Sequence, residues 1–191
     1  MSSDTNQPSS SETGAVPSTA EVADRLAIEQ VLAVHSRGVD RADESALKSA
    51  YWPDAEVAYG GYNGNAHGFC EILPASIKRY ARTAHKISNV CIDFRTIDGR
   101  HEARVETYVT AYHYLSKDAD DSPDVDTEMT YIGRYLDRME KRNNVWKIRF
   151  RQVLMDWNQN TEASAILAGP PFEGLARGTR WPDDPLYEML G

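Results

Sequence analysis

Only two cysteines, Cys70 and Cys91, occur in 191 residues, and neither has a partner at metal-ligand spacing. That scarcity excludes a disulfide framework and a sequence-evident zinc site, so two reduced thiols, buried or half-buried, are expected. No glycine-rich phosphate loop or dinucleotide fingerprint is present either, and no cofactor or metal is expected. No apolar run approaches membrane-spanning length. Met1–Ala20 lacks both the basic and the apolar region of a leader peptide, so a cytoplasmic protein without a membrane partner is expected. Positive charge is also short: 21 Lys and Arg face 29 Asp and Glu, a net charge of −8, which argues against nucleic acid as a partner. The basic residues from Lys141-Arg142 to Lys147–Arg151 interleave with Val145, Trp146, Ile148 and Phe150, as the polar positions of a strand would.

What the chain does hold is an ordinary globular composition, 41% hydrophobic and 26% charged, at a length that suits one domain with a real core. Residues 1–19 are rich in Ser, Thr, Gly and Pro, with almost no large apolar side chains, and read as a flexible tail. From Ala20 to Val39, the residues Leu26, Val31, Leu32 and Val34 recur among alanines as in an amphipathic helix ending near Gly38. Ala42–Tyr51 reads as a short second helix, with Asp43 as N-cap and Leu47 facing inward. Trp52-Pro53 stops it, and Ala55–Tyr59 follows as a short strand. Gly60–Asn65 is turn chemistry, and Phe69–Thr83 reads as a third helix carrying Ile72, Leu73, Ile77 and Tyr80.

After that helix the texture becomes strand-like. Ile87–Ile97, Ala103–Ser116, Met129–Arg138 and Val145–Trp157 are rich in Val, Ile, Thr and Tyr. Turns at Asp98-Gly99, Asp118–Asp126 and Arg142-Asn143-Asn144 separate them. Helices first and a meander of long antiparallel strands afterwards predict an α+β fold with segregated layers over residues 20–160. Residues 161–191, rich in Gly, Pro and aromatics, are either an ordered strap or a partly loose tail.

Asp40 ends the first helix, and His85 follows some forty residues later. An aspartate that orients a histidine builds a general base working near neutral pH, because the carboxylate sets the tautomer and stabilises the imidazolium. If the two meet in a pocket, metal-free proton abstraction follows; if they do not, this is a small α+β domain without an evident activity. His67 and His101 lie beside turns and are expected to be exposed. His113 has no ligand spacing to acids or thiols.

The order helix–helix–strand–helix–sheet resembles the nuclear transport factor 2-like superfamily. The segments Gly38-Val39-Asp40-Arg41, Tyr51-Trp52-Pro53-Asp54-Ala55 and Val145-Trp146-Lys147-Ile148 resemble its SnoaL-like branch, over about Ala20 to Trp157. That branch includes scytalone dehydratase, bile-acid 7α-dehydratase and hexachlorocyclohexane dehydrochlorinase. The resemblance implies a cone-shaped α+β barrel, with three N-terminal helices packed on a curved antiparallel sheet around an apolar cavity.

By position, the resemblance makes Asp40 and His85 a catalytic dyad. A tyrosine often lies five residues before the aspartate in the dehydratases; here His35 stands there and is expected to line the cavity. Tyr59 is then the candidate catalytic phenol. Arg134, Tyr108 and Tyr131 are the further candidates for substrate contact. The implied function is a cofactor-independent lyase that eliminates water, halide or formaldehyde from an apolar aromatic small molecule. A lignin-derived diarylpropane would suit the Tyr-rich strands. The competing readings are a SnoaL-like isomerase or cyclase, and a non-catalytic ligand-binding or assembly module like a dioxygenase β-subunit. A homo-oligomer, dimer or trimer, is also expected.

Overall fold

Ser18 opens the first helix by accepting the Glu21 N–H at 3.2 Å, with Glu21 itself in the favourable first turn. In this computed structural model residues 13–167 and 169–191 are described; the expected tail therefore lies outside the described residues over positions 1–12. Helix α1 (Thr19–Arg41) buries Ile28, Leu32, His35, Ser36 and Val39. Leu26 is exposed, so the inward stripe is turned relative to the expected one, and a histidine stands within it. Ala42 takes left-handed backbone angles, and the Asp43 N–H returns to the Gly38 carbonyl, which closes the helix. Gly38 is required there: a Cβ would meet the Leu47 backbone nitrogen at 2.9 Å, so only glycine lets the next helix approach this closely.

Helix α2 (Glu44–Ser49) is shorter than expected at both ends. Ala42 cannot belong to it because of its left-handed angles, and Asp43 caps it by accepting the Ala46 N–H. Tyr51, Trp52 and Pro53 already belong to strand β1 (Tyr51–Tyr59). A register shift between Tyr51 and Glu56 leaves Pro53 off the paired positions, where its missing N–H costs nothing. Gly60-Gly61 alone makes the turn, and Tyr62–Asn65 is a short strand, β2. Helix α3 (Ala66–Lys78) begins earlier than expected because Asn65 caps it, and ends before Thr83.

Four long strands follow: β3 (Arg82–Ile97), β4 (Arg100–Leu115), β5 (Thr127–Arg142) and β6 (Val145–Glu162). The sheet order is β2-β1-β6-β5-β4-β3. Hairpin neighbours pair antiparallel, across tight turns except for β4 and β5, which residues 116–126 join, whereas β1 and β6, which no hairpin connects, pair parallel. The sheet is therefore mixed rather than antiparallel throughout, and its edges β2 and β3 do not meet, so the barrel is not closed. Bulges between Ser88 and Cys91, at Ile132/Gly133 and at Arg138/Met139 bend it around the helices. Gly133 sits at one bulge, where an added Cβ would collide with the Leu154 carbonyl and the Tyr131 hydroxyl.

The core lies between the three helices and the inner sheet face, built from Ile28, Leu32, Leu47, Phe69, Leu73, Val105, Met139, Trp146 and Ile148 among others. Cys70 is buried in it, and burial pushes its thiol up to about 12. Cys91 is exposed, contrary to expectation, because its side chain points outward where the β3 ladder is interrupted. No helix among the described residues is long and apolar enough to cross a membrane.

Candidate active site

Asp40 lies in the last turn of α1, and His85 lies near the start of β3. The helix end delivers the carboxylate against the strand at two points. Asp40 Oδ1 lies 2.7 Å from His85 Nδ1, and Oδ2 accepts the His85 main-chain N–H at 2.9 Å. Both side chains are largely removed from solvent, at 5% exposure for His85 and 14% for Asp40. Burial alone would raise the Asp40 pKa, but the donors and charge of His85 outweigh it and hold the carboxyl below its ordinary value. An ionised carboxylate only accepts hydrogen bonds, so Nδ1 carries the proton in the neutral ring. Nε2 is then the nitrogen left with a free lone pair.

His85 stands in the wall of a cavity of about 390 Å³, lined also by Tyr59, Ala111, His113, Met129, Tyr131, Tyr135, Val153, Met155 and Asn158. These side chains come from the inner faces of β1, β3, β4, β5 and β6. Apart from a few polar tips the wall is aromatic and thioether surface, which suits a flat apolar ligand. Burial raises the Tyr59 pKa, so its phenol keeps its proton and can donate it. Its ring packs 4.8 Å from that of Phe69. Tyr131 also faces the cavity, but its hydroxyl already donates to the Leu154 carbonyl at 2.5 Å.

The SnoaL-like domain family matches residues 20–152. The chain belongs to that family. Among solved structures, this SnoaL-like chain is similar to a scytalone dehydratase-like protein from Novosphingobium aromaticivorans, at 24% identity and a TM-score of 0.60, covering 82% of this chain and 97% of that one. It is similar to a type 2 hexachlorocyclohexane dehydrochlorinase at 21% identity and a TM-score of 0.62, covering 79% and 96%. A type 3 dehydrochlorinase from Novosphingobium barchaimii gives 21% identity, a TM-score of 0.62, and coverage of 79% and 97%. No curated protein matches the sequence. Identities this low establish the fold.

In this SnoaL-like domain, three of the expected substrate contacts stand elsewhere. His35 is buried beneath the cavity rather than in its wall. Arg151 Nη1 donates to its Nδ1 at 2.9 Å, and its Nε2 lies 3.1 Å from the Tyr51 hydroxyl. Burial and then the Arg151 charge depress its pKa well below the ordinary value, so it stays neutral. Arg134 points to the outer sheet face, where it pairs with Asp156 and Glu106. Tyr108 lies directly opposite Arg134 on the neighbouring strand, so it shares that outer face. Apolar residues occur on both faces of β5, which hid its inward set from the pattern.

The sequence reading passed over His113. It borders the cavity with its ring 5.3 Å from that of His85. Burial, and then the charge of His85, lowers its pKa to about 4. The alternation Val105, Thr107, Val109, Ala111, His113 on β4 would have placed it inward. Beneath the cavity lies a second group that was missed: Arg151 and Asp137 form a two-pronged ion pair at 2.7 Å on both arms, with side chains 1% and 0% exposed. Of the remaining histidines, His101 is exposed as expected, while His67 is half-buried near the Tyr51 carbonyl.

Proposed function

We propose that this SnoaL-like protein is a cofactor-independent lyase acting on an apolar, aromatic small molecule. One observation carries the reading: His85, with Nδ1 held by Asp40, borders an apolar cavity into which Tyr59 also projects. Nε2 takes a proton from the substrate's carbon or hydroxyl, and the freed electron pair forms the new double bond. After proton loss from carbon, the group lost departs as halide, or as water after taking the Tyr59 proton. After proton loss from a hydroxyl, the oxygen pair becomes the carbonyl of departing formaldehyde, and the broken carbon–carbon pair forms the double bond as a neighbouring hydroxyl leaves as water with the Tyr59 proton. Asp40 balances the imidazolium charge that develops on His85. The tyrosines and methionines of the wall hold the ring and keep water out. A lignin-derived diarylpropane fits this description, with one aryl group against Tyr131 and Tyr135.

Tyr108 and Trp157 are exposed on the outer sheet face, and the expected self-association would use that face.

The test is Asp40→Asn and His85→Ala assayed against aryl alcohols, aryl-substituted halides and diarylpropanes. Loss of roughly 10²–10⁴-fold in turnover by either change is expected for a general base and its orienting acid. Turnover that survives both substitutions sinks the reading. Product analysis separates elimination from its relatives: an isomer or a ring-closed product points to the isomerase or cyclase chemistry instead. An isolated chain inactive on every compound favours the assembly-module reading.

A further inference from the structure

Beyond β6 the chain runs past the matched domain, and its polar contacts concentrate on one place, the end of α1. The Trp181 N–H donates to the Arg41 carbonyl at 2.7 Å. Asp184 accepts the Thr179 N–H at 2.8 Å and lies 3.1 Å from Arg41 Nε. The Tyr187 hydroxyl donates to Asp43 Oδ2 at 2.7 Å. Arg180 goes deepest: Nη1 donates to the Asp40 carbonyl and to Thr83 Oγ1 at 2.8 Å, and Nη2 donates to the Tyr80 carbonyl at 2.8 Å.

One planar guanidinium thus joins three chain ends. The Asp40 carbonyl belongs to the last turn of α1, the Tyr80 carbonyl to the exit from α3, and Thr83 to the start of β3, two residues before His85. Carbonyls at helix ends lack intrahelical donors and favour a cation. Arg180 is half-buried beside Arg41 and Arg82; their like charges and its burial both disfavour the cation, which the Asp40 charge helps to hold. Arg180 does not border the apolar cavity, so it has no direct route to substrate.

We propose that Arg180 is a positioning residue for the Asp40–His85 pair, supplied from outside the family-matched residues 20–152 by the C-terminal segment. Its catalytic consequence rests on the general-base reading above; its structural consequence does not. By tying α1 to the head of β3 it sets where the Asp40 carboxylate stands relative to the imidazole. A rigid fork with donors in fixed directions serves four acceptors at once, the Ile77 carbonyl at 3.4 Å being the fourth, which an ammonium cannot reproduce.

The experiment compares Arg180→Gln, Arg180→Lys and Tyr187→Phe in the full chain. Turnover is followed alongside the downfield proton NMR signal of the His85 ring N–H, assigned by its loss in His85→Ala. Arg180→Gln is expected to lower kcat by roughly 10- to 100-fold with KM held within about twofold, as small misplacements of catalytic groups do. It is also expected to broaden or abolish the ring N–H signal. Arg180→Lys restores part of both, and Tyr187→Phe, which removes only the bond to Asp43, lowers Tm while leaving both readings in place. A folded Arg180→Gln variant with wild-type kcat and an intact ring signal overturns the proposal. So does a Tyr187→Phe variant that loses as much of both readings. If Arg180→Gln does not fold, Arg180→Lys carries the test, and wild-type values of both readings in it are equally fatal. The ring signal needs no turnover, so activity surviving in Asp40→Asn would refute the base reading while the Arg180 result still stands.

Discussion

Asp40 holds His85 by both of its carboxylate oxygens, one on the ring at 2.7 Å and one on the main-chain N–H at 2.9 Å. The second bond matters as much as the first. It ties the acid to the strand backbone, so the imidazole is oriented by a group that is itself anchored. A carboxylate held this way stays ionised through neutral pH and keeps the His85 lone pair on Nε2, in a ring that borders the apolar cavity.

The depressed Asp40 pKa makes a prediction about acid stability. A carboxyl with a folded pKa below its unfolded value stabilises the protein above about pH 4, and that contribution disappears as pH falls through the folded pKa. The urea midpoint of Asp40→Asn should therefore lie furthest below that of the parent at neutral pH. The gap should narrow below about pH 4. A constant gap across that range would show that the carboxylate is not specially stabilised.

Tyr59 and Tyr131 both border the cavity, but of these two only the Tyr131 hydroxyl has a hydrogen-bond partner among the described residues. Tyr59→Phe should lower turnover by roughly 10- to 100-fold if its proton meets the leaving group or a developing oxyanion. Tyr131→Phe should change turnover little and stability by about 1 kcal/mol, because its hydroxyl is committed to the Leu154 carbonyl. Steady-state kinetics and thermal melts on the two variants distinguish the roles.

His113 should make the protein sensitive to mild acid. Its pKa falls from an ordinary value to about 4 on folding, so the unfolded chain takes up a proton that the native state refuses. Stability is full above about pH 6.5 and drains as pH falls toward about 4, where the native ring also protonates. His113→Gln should recover part of that loss, on the order of 2 kcal/mol or less at pH 5. Denaturant midpoints at pH 7.5 and pH 5 check it. His35, depressed in the same direction, sharpens the same trend in both proteins.

Arg151 and Asp137 form the buried pair beneath the cavity, and either removed alone leaves an uncompensated charge. Burial opposes the Arg151 cation, yet the Asp137 charge overrides it and raises the Arg151 pKa. Arg151→Met or Asp137→Leu singly should cost roughly 3–5 kcal/mol, and the double substitution clearly less than the sum. Equilibrium unfolding of the three variants measures the coupling. Strict additivity would show that the two side chains do not depend on each other.

How much of the site was readable follows from the kind of signal each residue carries. Asp40 and Tyr59 stand out in the sequence as ends of elements and His85 through the resemblance; the fold brings Asp40 onto His85, which borders one cavity with Tyr59. His113 was readable from the alternation of β4. His35 was expected to line the cavity from its place five residues before Asp40, and it is instead buried against Arg151 and Tyr51, partners remote in sequence that no local position reports. Arg134 failed because both faces of β5 carry apolar residues, so two-residue alternation does not choose a side, whereas Tyr108 lies outward on the same β4 alternation that turns His113 inward.

The sequence by itself determined most of the elements and their order, because caps, turn residues and periodicity act over a few residues: Asp43 starts a helix, and Asp98-Gly99 and Asn143-Asn144 turn strands, while the short strand β2 lies hidden among the turn residues Gly60–Asn65. It also carried the acid and the imidazole. Only the tertiary structure decided that β1 lies parallel to β6, that Arg151 meets Asp137 and His35, and that Arg180 reaches back 140 positions to the Asp40 carbonyl. These contacts join segments remote in sequence, and their energy depends on burial and direction, which no local pattern encodes.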